Sequence, residues 1–452
     1  MIEQESLMLK RSISKNPNKK LNLLVVGGGY VGLTMAVCFA DIGCNVVCVD
    51  KQKAKINSLS KGKVTIFEKD LDRLLVKNLK SKRLQFKLLA NSGDIENSDI
   101  IMIAVGTPFD DKLDGYNQRD IYSVAKEIAR FINKYTVIVI KSTVEVGTCD
   151  KVEQIIKETN PKADIEVVSI PEFLREGSGV YDFFNPERII VGTGSQRAKE
   201  IIKELHKPLQ KKKLVYTTRR SSEIIKCASN AFLATKVHFI NEMADFCEEV
   251  GGNVYEVAYG MGLDKRIGRE FLKPGPGYGG GCFPKDAKAL ASLGKRVGAN
   301  FNLIECVICA NGNRIKGFGQ KILRCVKNIK KPKVAFLGLA FKSGTDDCRC
   351  SPAVDIVLGL INKGLKVCVY DPAAMKNAKT ILKSRVFYAK DEYEAAKGAD
   401  IIVIGTEWKQ FKSLDWQKMG RFVRNKFIFD MRNIVDKQET LKHGFECYKI
   451  GC

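Results

Sequence analysis

Residues 21–50 read LNLLVVGGGYVGLTMAVCFADIGCNVVCVD, and this stretch decides the fold. The run LNLLVV is short, apolar and β-branched, which predicts a strand. Gly27, Gly29 and Gly32 follow as G-x-G-x-x-G, and TMAVCFADIG then carries helical periodicity up to a terminating Gly43. NVVCVD predicts a second strand, closed by Asp50. A glycine turn between strand and helix, with an acidic residue about twenty positions on, is the fingerprint of a dinucleotide-binding fold. The first glycine permits the tight turn, the second lets the backbone approach a pyrophosphate, and the third allows close helix–sheet packing. The start of the helix, with Tyr30 and Val31 in its first turn, favours the anion. A carboxylate at Asp50 would accept the ribose hydroxyls and repel a 2′-phosphate, so the expected cofactor is NAD.

Outward from this unit the chain alternates strand and helix. SDIIMIAVGTP, TVIVIKST, IEVVSIPEF and RIIVGTG read as further strands. That alternation predicts an open, mostly parallel sheet with right-handed crossovers. From about Ser221 the character changes: a helical pattern runs without Pro or Gly to Gly251, and another from about Asp286 to Val326. Strand signals return at Lys333 with KVAFLGLAF, LKVCVYDP, ADIIVIGTEW and KFIFDMRN, around a helix at SPAVDIVLGLINKG. The layout of KVAFLGLAF…VYDP echoes that of residues 21–50 and suggests one nucleotide site per half. The expected class is α/β: two Rossmann-like, doubly wound parallel-sheet domains joined by a long central helix and helical domain. The expected division is a disordered basic leader at 1–20, a cofactor domain at 21–217, a helical dimerisation domain at 218–330 and a sugar-nucleotide domain at 331–452.

Composition narrows the function classes. The 452 residues carry 75 Lys and Arg against 51 Asp and Glu, a formal net charge of +24. The basic residues are spread along the chain, which points to a lysine-rich surface and pockets for a phosphorylated ligand; no nucleic-acid partner is expected. No stretch of about 18 uninterrupted apolar residues predicts a membrane helix, and no secretory apolar segment opens the chain. Fifteen cysteines without framework spacing suggest reduced thiols and a cytoplasmic setting. No metal site is expected. Cys306 and Cys309 form a CxxC, but they stand in an apolar helical pattern with Ile304, Val307 and Ile308 and read as buried small hydrophobes.

The most informative stretch is GPGYGGGCFPKD, residues 275–286. Five glycines and two prolines surround Cys282, and Pro284 suits the first turn of a following helix. Cys282 would then stand just before a helix N-terminus, near a lysine, where the thiolate is favoured. Asp286 lies four residues on, Lys226 and Asn230 share a helix face at i, i+4, and PEFLREG places Glu172 and Glu176 after a strand.

In chain order GGGYVGL, AVGTP, KSTVEVGT, PEFLREG, SEIIKCASNAF, KRIGREFLKPGPGYGGGCFPKD, GLAFK and TDDCRCSPA resemble the nucleotide-sugar 6-dehydrogenases over roughly residues 21–450. The resemblance implies oxidation of a sugar C6 alcohol to the acid, with UDP-glucose as substrate and UDP-glucuronate as product. It runs through a thiohemiacetal and a thioester on Cys282. It implies that Lys226 and Asn230 stabilise oxyanions and position water, that Asp286 orients the lysine and water and assists proton transfer, that Glu172 hydrolyses the thioester, and that Thr143 lies near the nicotinamide. It implies cofactor contacts for Thr107, Glu176 and Arg349. It implies sugar-nucleotide contacts for Glu172, Phe173, Leu174, Phe271, Leu272, Gly279 and Lys342. Arg266 is implied to serve the neighbouring subunit, which calls for a homodimer or larger assembly. Glu145 replaces a usual proline, Ile170 stands where an Asn commonly precedes PEF, and Cys348 and Cys350 interrupt TDDxRxSPA. Alternatives are the same chemistry on GDP-mannose or a UDP-N-acetylhexosamine, a nucleic-acid-binding protein that kept the fold, and a sugar-nucleotide sensor without turnover. Gly281, where the N-acetylmannosamine enzymes tend to carry a histidine, disfavours that substrate.

Overall fold

The computed structural model describes residues 20–209 and 213–452. All of the basic leader except Lys20 lies outside them. The described residues form two compact units, divided between Cys227 and Ala228.

Among its described residues the first unit holds ten strands: β1 Asn22–Val26, β2 Asn45–Val49, β3 Leu84–Lys87, β4 Ile100–Ile103, β5 Phe109–Asp110, β6 Gly115–Tyr116, β7 Thr136–Ile140, β8 Ile165–Ser169, β9 Arg188–Gly192 and β10 Lys213–Thr217. Eight of them make one sheet in the order β10-β9-β8-β7-β4-β1-β2-β3, while β5 and β6 form a separate antiparallel hairpin. Every neighbouring pair in the large sheet is parallel except β8 and β9. Such a sheet is covered on both faces, and its strands are apolar on both. Leu23 and Val25 of β1 enter one core with the helix Tyr30–Asp41, and Leu24 enters the other with Ile121 and Val152 of the helices Arg119–Ala129 and Thr148–Thr159. Chain order reverses between β1 and β4, and ligands of such sheets sit at the carboxyl ends of the strands beside that reversal.

In the second unit β11 Lys333–Leu337, β12 Lys366–Tyr370, β13 Phe387–Tyr388, β14 Ile401–Ile404, β15 Phe427–Asp430 and β16 Glu446–Lys449 form an all-parallel sheet in the order β13-β12-β11-β14-β15-β16. The helix Arg219–Val250 is continuous through 32 residues, as the uninterrupted pattern predicts, and its Ile240 and Ala244 pack in the core of this sheet. The expected helical run from Asp286 to Val326 is two helices, Phe283–Arg296 and Asn302–Cys325. The break falls at Gly298, whose φ of +75° a helix cannot use. Among the described residues no helix is long and apolar enough to cross a membrane.

The echo between the halves extends to detail. Gly27 N–H donates to Val49 O and Gly338 N–H to Tyr370 O, each at 2.8 Å, and both glycines have positive φ. The carboxylates after β2 and β12 differ. Asp371 is 1% exposed and accepts from Leu339, Ala340, Ala373 and Ala374 N–H and from the Trp408 indole. Five donors saturate it, so no nucleotide in the second unit is gripped through this carboxylate.

Candidate active site

The glycine loop of the first unit is built for an anion. A Cβ on Gly32 would run into the carbonyl oxygen of Gly27, which is the close helix–strand approach the motif demands. Nothing lies within 4 Å of where a Gly29 Cβ would stand, and Gly29 caps the helix Tyr30–Asp41 without a side-chain hydrogen bond. The first-turn N–H groups are thus left for a ligand. Asp50 follows β2 and accepts from Gly28 N–H at 2.9 Å, Gln52 N–H at 2.9 Å and Lys55 Nζ at 2.8 Å. Burial would raise its pKa, but the Lys55 ammonium and the two N–H groups outweigh that and hold it below the usual carboxylate range. An open glycine cradle with an ionised carboxylate beside it fits NAD.

A second cluster lies in the same unit, where β7 and β8 end. Glu172 Oε1 pairs with Lys226 Nζ at 3.1 Å and Oε2 accepts from Leu174 N–H at 2.6 Å; Glu172 is 7% and Lys226 4% exposed. Lys226 and Arg188 lie over the Phe173 ring at 5.2 and 3.9 Å. Thr107 donates to Thr143 O at 2.6 Å, joining the loops after β4 and β7. Glu176 sits close enough to Tyr30 to act on it electrostatically. The two substitutions in these loops have structural accounts. Ile170 is buried in the core and its N–H continues the sheet to Ile140 O at 3.1 Å, while Glu145 accepts from Tyr116 N–H at 3.3 Å and pins the β5–β6 hairpin.

Sequence reasoning missed Lys141, directly after β7. Its Nζ is buried 3.4 Å from Pro171 O. Burial pushes its pKa down to about 8; Glu172 opposes the shift and Lys226 adds to it. Between pH 8 and the ordinary lysine value of 10.5 the unfolded chain therefore binds more protons here than the folded one, and stability rises with pH. In urea melts, wild type should gain about 3 kcal/mol relative to Lys141→Met between those limits. A gap that stays constant with pH would rule this out.

The second unit carries the cysteine. Cys282 is exposed and caps the helix Phe283–Arg296, with proline in the first turn as expected. Asp286, one turn on, is fully buried. Its Oδ2 accepts from Asn230 Nδ2 and its Oδ1 from Lys285 Nζ, both at 2.6 Å. Arg349 is held by both carboxylate oxygens of Asp347, and a Cβ on Gly281 would stand 2.5 Å from its guanidinium carbon. Arg349 thus touches the residue preceding the cysteine. Gly279 presses on Cys350 O so closely that a Cβ there would clash. Phe271 adopts a left-handed φ of +63°, Leu272 is buried, and Lys342 lies over the Phe341 ring at 5.7 Å. An aromatic residue held left-handed stores strain of about 1–3 kcal/mol, a feature concentrated at ligand clamps.

Of the residues singled out from the sequence, one unit gathers Gly27, Gly29, Tyr30, Val31, Gly32, Asp50, Thr107, Thr143, Glu172, Phe173, Leu174, Glu176 and Lys226. The other holds Asn230, Arg266, Phe271, Leu272, Gly279, Cys282, Asp286, Lys342 and Arg349. Lys226 and Asn230 stand one turn apart on a single helix.

Residues 21–210 match the NAD binding domain of the UDP-glucose/GDP-mannose dehydrogenase family, residues 220–313 its central domain and residues 335–437 its UDP binding domain. The chain belongs to this family. Among its members, a UDP-glucose 6-dehydrogenase of Rhizobium meliloti is 47% identical over 95% of this chain and 99% of its own length. One of Bacillus subtilis is 42% identical over 95% and 98%. A solved UDP-glucose dehydrogenase of the archaeon Pyrobaculum islandicum superposes with a TM-score of 0.87 at 33% identity, covering 93% of this chain and 96% of that one. Family membership makes the protein an NAD-dependent oxidoreductase and accounts for the dinucleotide fingerprint and the UDP binding domain.

One expectation fails. Cys306 and Cys309 are exposed on the helix Asn302–Cys325, whose buried face is Ile304, Val307, Asn311, Arg314, Phe318 and Ile322. Polar Asn311 and Arg314 occupy that face because they bind backbone: Asn311 pairs with Tyr278, and Arg314 reaches Gly275 and Asn241. The inward stripe thus mixes four apolar side chains with these two polar ones, and the cysteines fall outside it.

Proposed function

We propose that the protein is a UDP-glucose 6-dehydrogenase, oxidising the C6 alcohol to the carboxylate of UDP-glucuronate. The observation that carries this reading is an exposed cysteine at a helix start whose next turn buries a carboxylate bonded to Asn230 and Lys285. Two molecules of NAD, bound in turn, would each accept one of the two hydrides that leave C6. Cys282 adds through sulfur to the C6 aldehyde, forming a C–S bond and a thiohemiacetal. Loss of the second hydride leaves a thioester. Water then attacks the acyl carbon, the C–S bond breaks, and the thiolate departs.

The remaining roles follow the family pattern. Lys226 and Asn230 donate to oxygen as charge develops on it, and Asp286 holds Asn230 and takes up protons. Glu172 directs the hydrolytic water, with Thr143 beside the nicotinamide. Thr107, Glu176 and Arg349 contact the cofactor. Phe173, Leu174, Phe271, Leu272, Gly279 and Lys342 contact the sugar nucleotide. The test is stoichiometry with each candidate substrate. UDP-glucose should yield two NADH per acid formed, GDP-mannose and UDP-N-acetylhexosamines little or none; one NADH per turnover with a released aldehyde would refute the scheme.

Asp50→Ala should raise the KM for NAD by about 10²- to 10⁴-fold, the loss of two hydrogen bonds to a charged group. It also strips Lys55 of its partner and leaves an ammonium facing the ribose, so NADP should gain relative to NAD. An unchanged NAD/NADP ratio would misplace the ribose.

The chain's four-part division, with 218–330 as the dimerisation domain, belongs to the same proposal, as does a cytoplasmic setting. Phe232, Phe239 and Phe246 recur every seven residues on the helix Arg219–Val250 and are 64%, 42% and 59% exposed. Such a stripe suits a second copy of this chain. Arg266, its side chain 89% exposed and paired with Asp264, is then free to serve the partner's site. Phe239→Glu should give a monomer in light scattering; an intact dimer would move the interface elsewhere.

A further inference from the structure

Glu68 is buried, charged and without a part in the chemistry above. It lies between the helices Lys53–Ser60 and Leu71–Lys80. Its Oε2 accepts the Tyr30 phenol and Gly177 N–H, the latter at 2.9 Å, and its Oε1 faces Val180 N–H at 3.4 Å. The Tyr30 hydroxyl also lies 3.0 Å from Arg175 O, and a Cβ on Gly179 would come within 2.6 Å of that hydroxyl. Tyr30 is the first residue of the helix that follows the glycine loop. Gly177 and Val180 close the segment that begins with Glu172 and includes Glu176. One buried carboxylate thus joins the two loops. Burial and the Glu68 charge raise the phenol's pKa, which keeps Tyr30 a donor.

We propose that Glu68 is a positioning residue that couples the cofactor-facing helix start to the segment carrying Glu172. Cofactor occupancy is transmitted through Tyr30 and Glu68 to residues 172–180. The inference rests on the proposed function for the importance of Glu172, but not for the coupling itself.

The coupling is measured by amide hydrogen exchange of residues 172–180 with and without saturating NAD, in wild type, Glu68→Gln and Tyr30→Phe. The glutamine keeps one acceptor oxygen and turns an amide toward N–H groups, so it breaks the junction with little change in size. Tyr30→Phe removes one hydroxyl and guards against a variant that fails to fold. In wild type NAD should slow exchange about tenfold, the scale of one hydrogen bond to a charged group. In both variants NAD should still bind, as followed by fluorescence, while the slowing falls below about twofold. With UDP-glucose, kcat should fall about tenfold in each variant with KM for the sugar nucleotide unchanged, and the double variant should be no worse than Glu68→Gln alone. Equal protection by NAD in Glu68→Gln and wild type would overturn the proposal, as would additive losses in the double variant. Should wild type fail to oxidise UDP-glucose, the proposed function falls, and the exchange result still decides the role of Glu68.

Discussion

Cys282→Ser is expected to cut formation of the sugar acid by at least about 10³-fold, the scale of removing a covalent nucleophile. A serine hydroxyl is protonated at neutral pH, and its oxygen is a far poorer nucleophile and leaving group than sulfur. The second oxidation and the hydrolysis both lose their intermediate. Folding should be untouched, because the side chain is exposed and serine suits the cap of the helix Phe283–Arg296. Binding of UDP-glucose and NAD, measured by calorimetry, should therefore persist. Acid formation at the wild-type rate would remove sulfur from the mechanism.

The Glu172–Lys226 pair should separate catalysis from stability. Lys226→Met is expected to lower kcat by about 10²–10³, the cost of one preorganised donor to a developing oxyanion. Its effect on folding should be mild, since Glu172 keeps the buried ammonium of Lys141 within electrostatic reach. Glu172→Gln removes the carboxylate that pairs with buried Lys226 and acts on buried Lys141, and should destabilise by about 3–5 kcal/mol, besides stalling the thioester. Intact-protein mass spectrometry should then show an acyl adduct on Cys282. Urea melts and saturating-substrate kinetics on both variants check the asymmetry; equal destabilisation by the two would refute it.

Those expectations rest on residues of unequal legibility. The central strands β1, β2, β4, β7 and β8 are buried on both faces, so unbroken apolar runs betray them. The edge strands β3, β10, β13 and β16 are short and half-solvated; LQFK and ECYK carry charge and no clear alternation. Cys282 and Asp286 stand out because a glycine–proline loop around a cysteine has few structural uses. Glu68, Lys141 and Lys55 do not, because a lone charge near an element's end reads as a solvated one. Only the fold reveals that Glu68 and Lys141 lie inside, each facing a partner far away in the chain. The cysteines of the CxxC mislead for the converse reason: the inward stripe of their helix gives two of its places to Asn311 and Arg314, which bind backbone, and the cysteines beside it stay exposed.

The saturated Asp371 has an evolutionary corollary. If the two sheets descend from one ancestral half, their matching carboxylates have parted ways: one stayed available to passing molecules and the other became masonry. Retargeting the downstream half to another base or sugar cannot begin at Asp371, since any replacement there would orphan several amide donors at once. Diversification of that half is channelled into its loops, while the upstream half can change cofactor by a single acidic residue.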